Sequence, residues 1–141
     1  MAYQQSSVQA YRQTRVKTAS QGRIIVMLYD EALRQIDSAV KLLDSGTKQL
    51  DAVNNAVVKA QDIVTELMVA LDMEQGGEIA QNLFRLYMFF SDRLMEGNVK
   101  KEVGPLKEVR GLMANLREAW KQIENTTPGG PAASGGVNIA G

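Results

Sequence analysis

The 141 residues include no cysteine and no histidine. Without cysteine there is neither a disulfide framework nor thiolate chemistry. The joint absence removes the commonest metal ligands and the usual general acid or base. Sixteen basic and sixteen acidic side chains cancel. A nucleic-acid partner or an anionic membrane surface would favour a basic excess, so bulk charge supports neither. No apolar run approaches the roughly 20 residues of a membrane helix. The opening "MAYQQSSVQAYRQ" lacks the basic-then-apolar pattern of a secretory signal. These absences point to a cytoplasmic, non-enzymatic chain without cofactor, metal, nucleic acid or membrane insertion.

Apolar residues make up 45% of the chain, enough for one domain with a real core. Their period is helical throughout. Ser20 is a plausible N-cap, and Ile25, Leu28, Tyr29, Ala32, Ile36, Ala39, Val40 and Leu43 form one stripe that Gly46 ends. Val53, Val57, Ala60, Val64, Leu67 and Leu71 place a second helix at about 49–71. A third is expected over about 78–95, with Ile79, Leu83, Leu86, Tyr87, Phe90 and Leu94 inward and "EGN" interrupting it. Gly104 and Pro105 suit the start of a fourth, carrying Leu106, Val109, Leu112, Met113, Leu116, Trp120 and Ile123 inward. The fold expected is all-α: an antiparallel four-helix bundle with an N-terminal cap segment (1–19), a bundle domain (20–124) and a disordered Gly/Pro-rich tail (125–141).

The chain holds more apolar residues than one core stripe per helix requires. Six neighbours, Ile24 to Tyr29, are apolar or aromatic and cover every side of a helix that turns about 100° per residue. Met27 lies roughly opposite the core stripe and Val26 at its edge. On the third helix Phe84, Met88 and Met95 form a second stripe, and Phe89 lies on yet another side. Val58 and Val69 fall off the main face of the second helix. Such residues are often ordinary core, but Phe84, Met88, Phe89 and Met95 cannot all face one interior. Grooves between bundle helices accept an amphipathic partner helix, and methionine adapts to irregular surfaces. The carboxylates Glu66, Asp72, Glu74 and Glu78 read as a solvated connection, without the Glu-x-x-His spacing of a di-iron site. Tyr29 and Tyr87 are expected in the core with hydroxyls reaching its edge.

Several separated blocks then carry a resemblance. "AYRQTRVKTASQGRIIVMLYDEAL", "GGEIAQNLFRLY" and "LKEVRGLMANLREAW" resemble the flagellin-specific secretion chaperones of the FliS family. The matching positions are Tyr11, Val16 to Ser20, Met27 to Asp30, Gly77 to Tyr87, Leu116, Arg117, Ala119 and Trp120. Gly97 stands where an Ala is usual before the Asn. The resemblance implies a helical bundle that binds the disordered C-terminal segment of flagellin, prevents premature polymerisation and hands it to the flagellar export machinery. It also implies that the N-terminal segment folds back onto the apolar groove, a role that falls to Val8 and Tyr11. Tyr11 as a fixed core side chain remains the other reading. The expected partner-binding residues are therefore Val8, Tyr11, Val58, Val69, Phe84, Met88 and Met95. A different class of function stays open: a structural adaptor that self-associates through the same apolar surface, with weak homo-oligomers when unliganded.

Overall fold

A computed structural model describes residues 21–126. Four helices account for nearly all of them: α1 (Gln21–Asp44), α2 (Leu50–Val69), α3 (Gly77–Lys100) and α4 (Val103–Thr126). Each of α1 and α3 packs against α2 and α4, so the bundle closes as a ring in chain order. The connections are short, which forces successive helices to run antiparallel.

The ends of the helices follow local chemistry. At the end of α1, Gly46 adopts a φ of 70°, and the Thr47 and Gly46 amides donate to the carbonyls of Leu42 and Leu43. This pairing satisfies carbonyls that have no partner within the helix. Between α2 and α3, Asp72 Oδ1 accepts the amides of Glu74 and Gln75, folding the connection into a side-chain-supported turn. Glycine is not required at every such stop. Lys101 takes the left-handed conformation (φ 53°) after α3, and the Glu102 amide donates to the Gly97 carbonyl. The Lys101 ammonium donates to the Asn98 carbonyl and side chain, offsetting part of the strain of that φ.

The expected break at "EGN" does not occur. Helix α3 runs through Gly97 to Lys100. A mid-helix glycine is unfavourable by about 1 kcal/mol relative to alanine, but here the bare Cα lets α4 come close. A Cβ at Gly97 would stand 2.8 Å from Leu106 Cδ2 and 3.2 Å from the Glu102 carbonyl oxygen. Close approach outweighs propensity at this joint.

The core holds Ile25, Leu28, Tyr29, Ala32, Ile36 and Ala39 from α1, with Val53, Val57, Ala60, Val64 and Leu67 from α2. Tyr87, Phe90 and Leu94 of α3 meet Leu106, Val109, Met113 and Trp120 of α4. Within the run Ile24 to Tyr29 only Met27 is not fully buried, so the protein's own fold covers most of that all-round apolar segment. Leu112 was expected inward, yet it is exposed: it lies well to one side of the Leu106, Val109 and Met113 stripe. Glu66 departs in the other direction. It belongs to α2 rather than to a solvated connection, and it is buried.

At the centre, the Tyr29 and Tyr87 hydroxyls are hydrogen-bonded to each other at 2.7 Å. They do not reach the core's edge as the sequence suggested, because each is the other's partner. Burial pushes the Tyr29 hydroxyl far above its ordinary pKa, and the neighbouring Tyr87 adds to the shift. Burial raises Tyr87 as well. An unpaired hydroxyl in this interior would be unfavourable by about 1–3 kcal/mol, so mutual pairing is the economical solution.

A candidate partner-binding groove between α2 and α3

Two side-chain hydrogen bonds set the register of α2 on α3. Asn98 Nδ2 donates to Asn54 Oδ1 at 2.8 Å, and Gln61 Nε2 donates to the Ser91 carbonyl at 3.2 Å. The bridges are seven residues apart on both helices, with numbering running in opposite directions. One further step of seven brings Met68 level with Phe84.

That register arranges the outward residues. On α2, Val58, Asp62, Thr65 and Val69 follow a spacing of four, three and four, which keeps them on one face. On α3, Phe84, Met88, Met95 and Val99 share a face in the same way. Both faces lie immediately outside the amide bridges, so together they form the walls of one shallow groove. Val58 stands near the level of Met95, Thr65 near Met88, and Val69 near Phe84. Exposure is large for this residue type: 46% for Met88, 52% for Met95, 63% for Val69 and 75% for Val99. Val58 and Phe84 are half-buried, as wall residues nearer the floor should be.

Five of the residues singled out from the sequence (Val58, Val69, Phe84, Met88 and Met95) thus fall along one groove. Val8 and Tyr11 lie outside the described residues. Phe89 is turned about 100° from Met88, on the α4 side, where its ring tilts against Phe90 at 6.3 Å. Val99 was missed because the third helix was expected to stop at Met95; its spacing of four from Met95 is the signal that would have found it. Asn54, Gln61 and Asp62 were missed because their roles depend on a register that one helix cannot reveal.

The opposite seam has a different chemistry. Asp30, Asp37 and Asp44 recur every seven residues along α1 and face α4. Arg117 Nε donates to Asp30 Oδ1 at 2.7 Å, Arg110 Nε to Asp37 Oδ1 at 2.8 Å, and Lys107 Nζ lies 3.5 Å from Asp44 Oδ2. The hydrogen bond that Arg110 donates to Asp37 raises its pKa, as the one donated to Asp30 does for Arg117. Between α3 and α4, Arg93 joins Glu108 and Glu96 at 2.7 Å each.

Nothing in the groove is arranged for catalysis. It offers apolar side chains, two amide bridges and carboxylates, which suits it to hold a polypeptide. Among the described residues there is no group of three or more potential metal ligands. Nor is any described helix long and apolar enough to cross a membrane.

Comparison with known proteins agrees with a binding role. Residues 3–127 match the model of the family described as flagellar protein FliS. The chain is 38% identical over 126 residues to the flagellar secretion chaperone FliS of Salmonella typhimurium, covering 86% of this chain and 92% of that protein. Against the Escherichia coli chaperone of the same name the identity is 34%, over 85% and 90% of the two chains. Against that of Bacillus subtilis it is 31%, over 94% and 97%. These relatives are named as chaperones, a non-enzymatic role. With a four-helix bundle and a match that spans most of its length, the chain belongs to the FliS family of flagellar secretion chaperones.

Proposed function

We propose that this chaperone binds the C-terminal segment of flagellin in the cytoplasm, keeps it from polymerising prematurely and delivers it to the flagellar export machinery. The observation that carries this reading is the α2–α3 groove, where Met88, Met95, Val69 and Val99 stand exposed on two adjoining faces. An apolar surface of this kind marks an interaction site. An amphipathic helix or extended segment laid along it would cover these side chains. A partner that is disordered when free loses conformational entropy on docking, so a long contact is needed for useful affinity.

The direct test is calorimetry with flagellin's C-terminal segment. Replacing Phe84 and Met88 together by Ser should weaken binding strongly while the helical circular dichroism stays unchanged. Unchanged affinity would remove this groove from the proposal.

The adaptor reading draws on the same surface, since the Phe84, Met88, Met95 and Val99 stripe could pair with a second copy. Sedimentation of the free protein separates the two. A stable oligomer that persists in the presence of the segment, without binding it, would favour the adaptor.

Val8 and Tyr11 are assigned the part of an intramolecular cover. Three residues apart, they would share one face of a helical turn. A cover that competes with the cargo lowers apparent affinity in proportion to the fraction of molecules left open. Amides around Tyr11 should exchange faster with solvent when the flagellin segment binds; equal or slower exchange would refute displacement.

A further inference from the structure

The fold sorts the methionines sharply. Met113 is fully buried in the core, and Met27 and Met68 are partly covered. Three stand exposed: Met88 and Met95 on the groove face of α3, and Met73 in the connection between α2 and α3. The chain has no cysteine, and among the described residues Trp120, Tyr29 and Tyr87 are buried. The groove's other walls, Val58, Thr65, Val69, Phe84 and Val99, offer an oxidant nothing to attack. Sensitivity to a two-electron oxidant is therefore concentrated on two sulfur atoms of the groove and one beyond its end.

The chemistry balances with a peroxide as the co-reactant. The sulfur lone pair attacks one oxygen of hydrogen peroxide, and the S–O bond forms as the O–O bond breaks. The departing hydroxide takes the proton of the transferred oxygen and leaves as water. Sulfur loses two electrons and the peroxide gains them. A flexible apolar side chain has become a polar one with a strong acceptor oxygen. In the free protein that oxygen points into water, so the bundle keeps its stability. Under a bound apolar segment it would be desolvated, and the facing wall of α2 supplies no donor. Val58, level with Met95, has none, and the Thr65 hydroxyl, level with Met88, already donates to the Gln61 carbonyl.

Resting on the proposed function, we infer that Met88 and Met95 form a reversible oxidation site, at which peroxide closes the groove to its apolar cargo and a dithiol-driven sulfoxide reductase reopens it. The reverse step takes two electrons from the dithiol, which becomes a disulfide, and releases the oxygen as water. Cargo and oxidant compete for the same surface. A segment laid over Met88 and Met95 shields their sulfurs, so the empty chaperone is oxidised and the loaded one is spared. The core is spared in both, because Met113 is out of reach.

The experiment treats the full chain with hydrogen peroxide, removes the excess with catalase, maps the sulfoxides by peptide mass spectrometry and titrates with untreated C-terminal segment of flagellin. Met88 and Met95 should gain oxygen while Met113 does not. Affinity should fall about tenfold for each sulfoxide, with the melting temperature unchanged. Methionine sulfoxide reductases for both sulfoxide epimers, with dithiothreitol, should restore it. Treatment of the preformed complex should leave Met88 and Met95 largely unoxidised. In Met88→Leu with Met95→Leu, affinity before and after treatment should be equal, whatever its starting value, whereas Met73→Leu should respond to peroxide as the wild type does. Full affinity with both sulfoxides in place would overturn the inference and leave the groove reading intact. So would a loss of affinity that Met73→Leu abolishes, or one that comes with a fall in melting temperature. An untreated chain that binds no segment would overturn the proposed function together with the inference.

Discussion

The two seams on opposite sides of the bundle differ in kind. Where α1 meets α4, three aspartates at seven-residue intervals are each matched by a cation from the facing helix. Where α2 meets α3, the links are amides, and the residues outside them are Val, Met and Phe with acids that lack cations. A seam satisfied by its own charges offers little to a polypeptide: docking there would desolvate paired ions for small return. A seam left apolar gains from being covered. Finished and unfinished surfaces therefore lie on one small bundle, and the proposed partner site is the unfinished one.

The largest effect that should separate them is on binding. Phe84→Ser with Met88→Ser removes two large apolar contacts that are already about half-covered in the free protein; at about half of the 1.5–3 kcal/mol per fully buried side chain, flagellin-segment binding should weaken by up to about a hundredfold. The same titration with Asp37→Asn, on the charged seam, should show no change. Equal losses in both would mean that the contrast between seams does not govern recognition.

Next in size is the polar pair that lies between the seams. Tyr87→Phe takes from the buried Tyr29 hydroxyl its partner across the bundle, and should destabilise the protein by about 1–3 kcal/mol in urea melts. Replacing both tyrosines by Phe should cost less than either single change. The pair also sets a direction for pH. Both hydroxyls have folded-state pKa values raised above the unfolded value near 10, chiefly by burial. Their contribution is fully present below about pH 10 and is lost as pH climbs above it. The double Phe variant should lose less stability between pH 9 and about 11.5 than the wild type.

Gly97→Ala is expected to have a smaller effect. The new methyl would press on Leu106 and the Glu102 carbonyl, while the helix gains about 1 kcal/mol of intrinsic preference. A net loss of about 1 kcal/mol is expected, with flagellin affinity unchanged because Gly97 faces α4. The smallest effect belongs to the charged seam itself. Asp37→Asn removes a solvent-exposed pair and should lower stability by less than about 1 kcal/mol, an effect that vanishes in 1 M salt.

Most of the bundle was legible in the sequence because its apolar stripes keep a helical period over five or six turns, as in Ile25, Leu28, Ala32, Ile36 and Ala39. The end of α3 was not legible. "EGN" has the composition of a stop, and only the nearby Leu106 side chain explains why Gly97 stays helical. Leu112 misled for a related reason: an apolar residue at helical spacing reads as core until the angle of the neighbouring helix is known. Val58, Val69, Phe84, Met88 and Met95 could be read as off-stripe from single helices. Their assembly into one groove could not, since it depends on which helices are neighbours and in which register. The Tyr29–Tyr87 contact spans 58 positions and pairs helices that are not neighbours; no local pattern announces it.

That contact has a geometric consequence. Helices α1 and α3 stand diagonally across the bundle and share no direct backbone packing, so neighbours alone would leave α3 some latitude to roll about its long axis. The hydroxyl–hydroxyl link works like a key in a slot and fixes the roll angle. One residue of roll, about 100°, would swing Met88 and Met95 toward the interior and carry Tyr87 out. A bond wholly inside the protein thus sets which side chains the outside world meets.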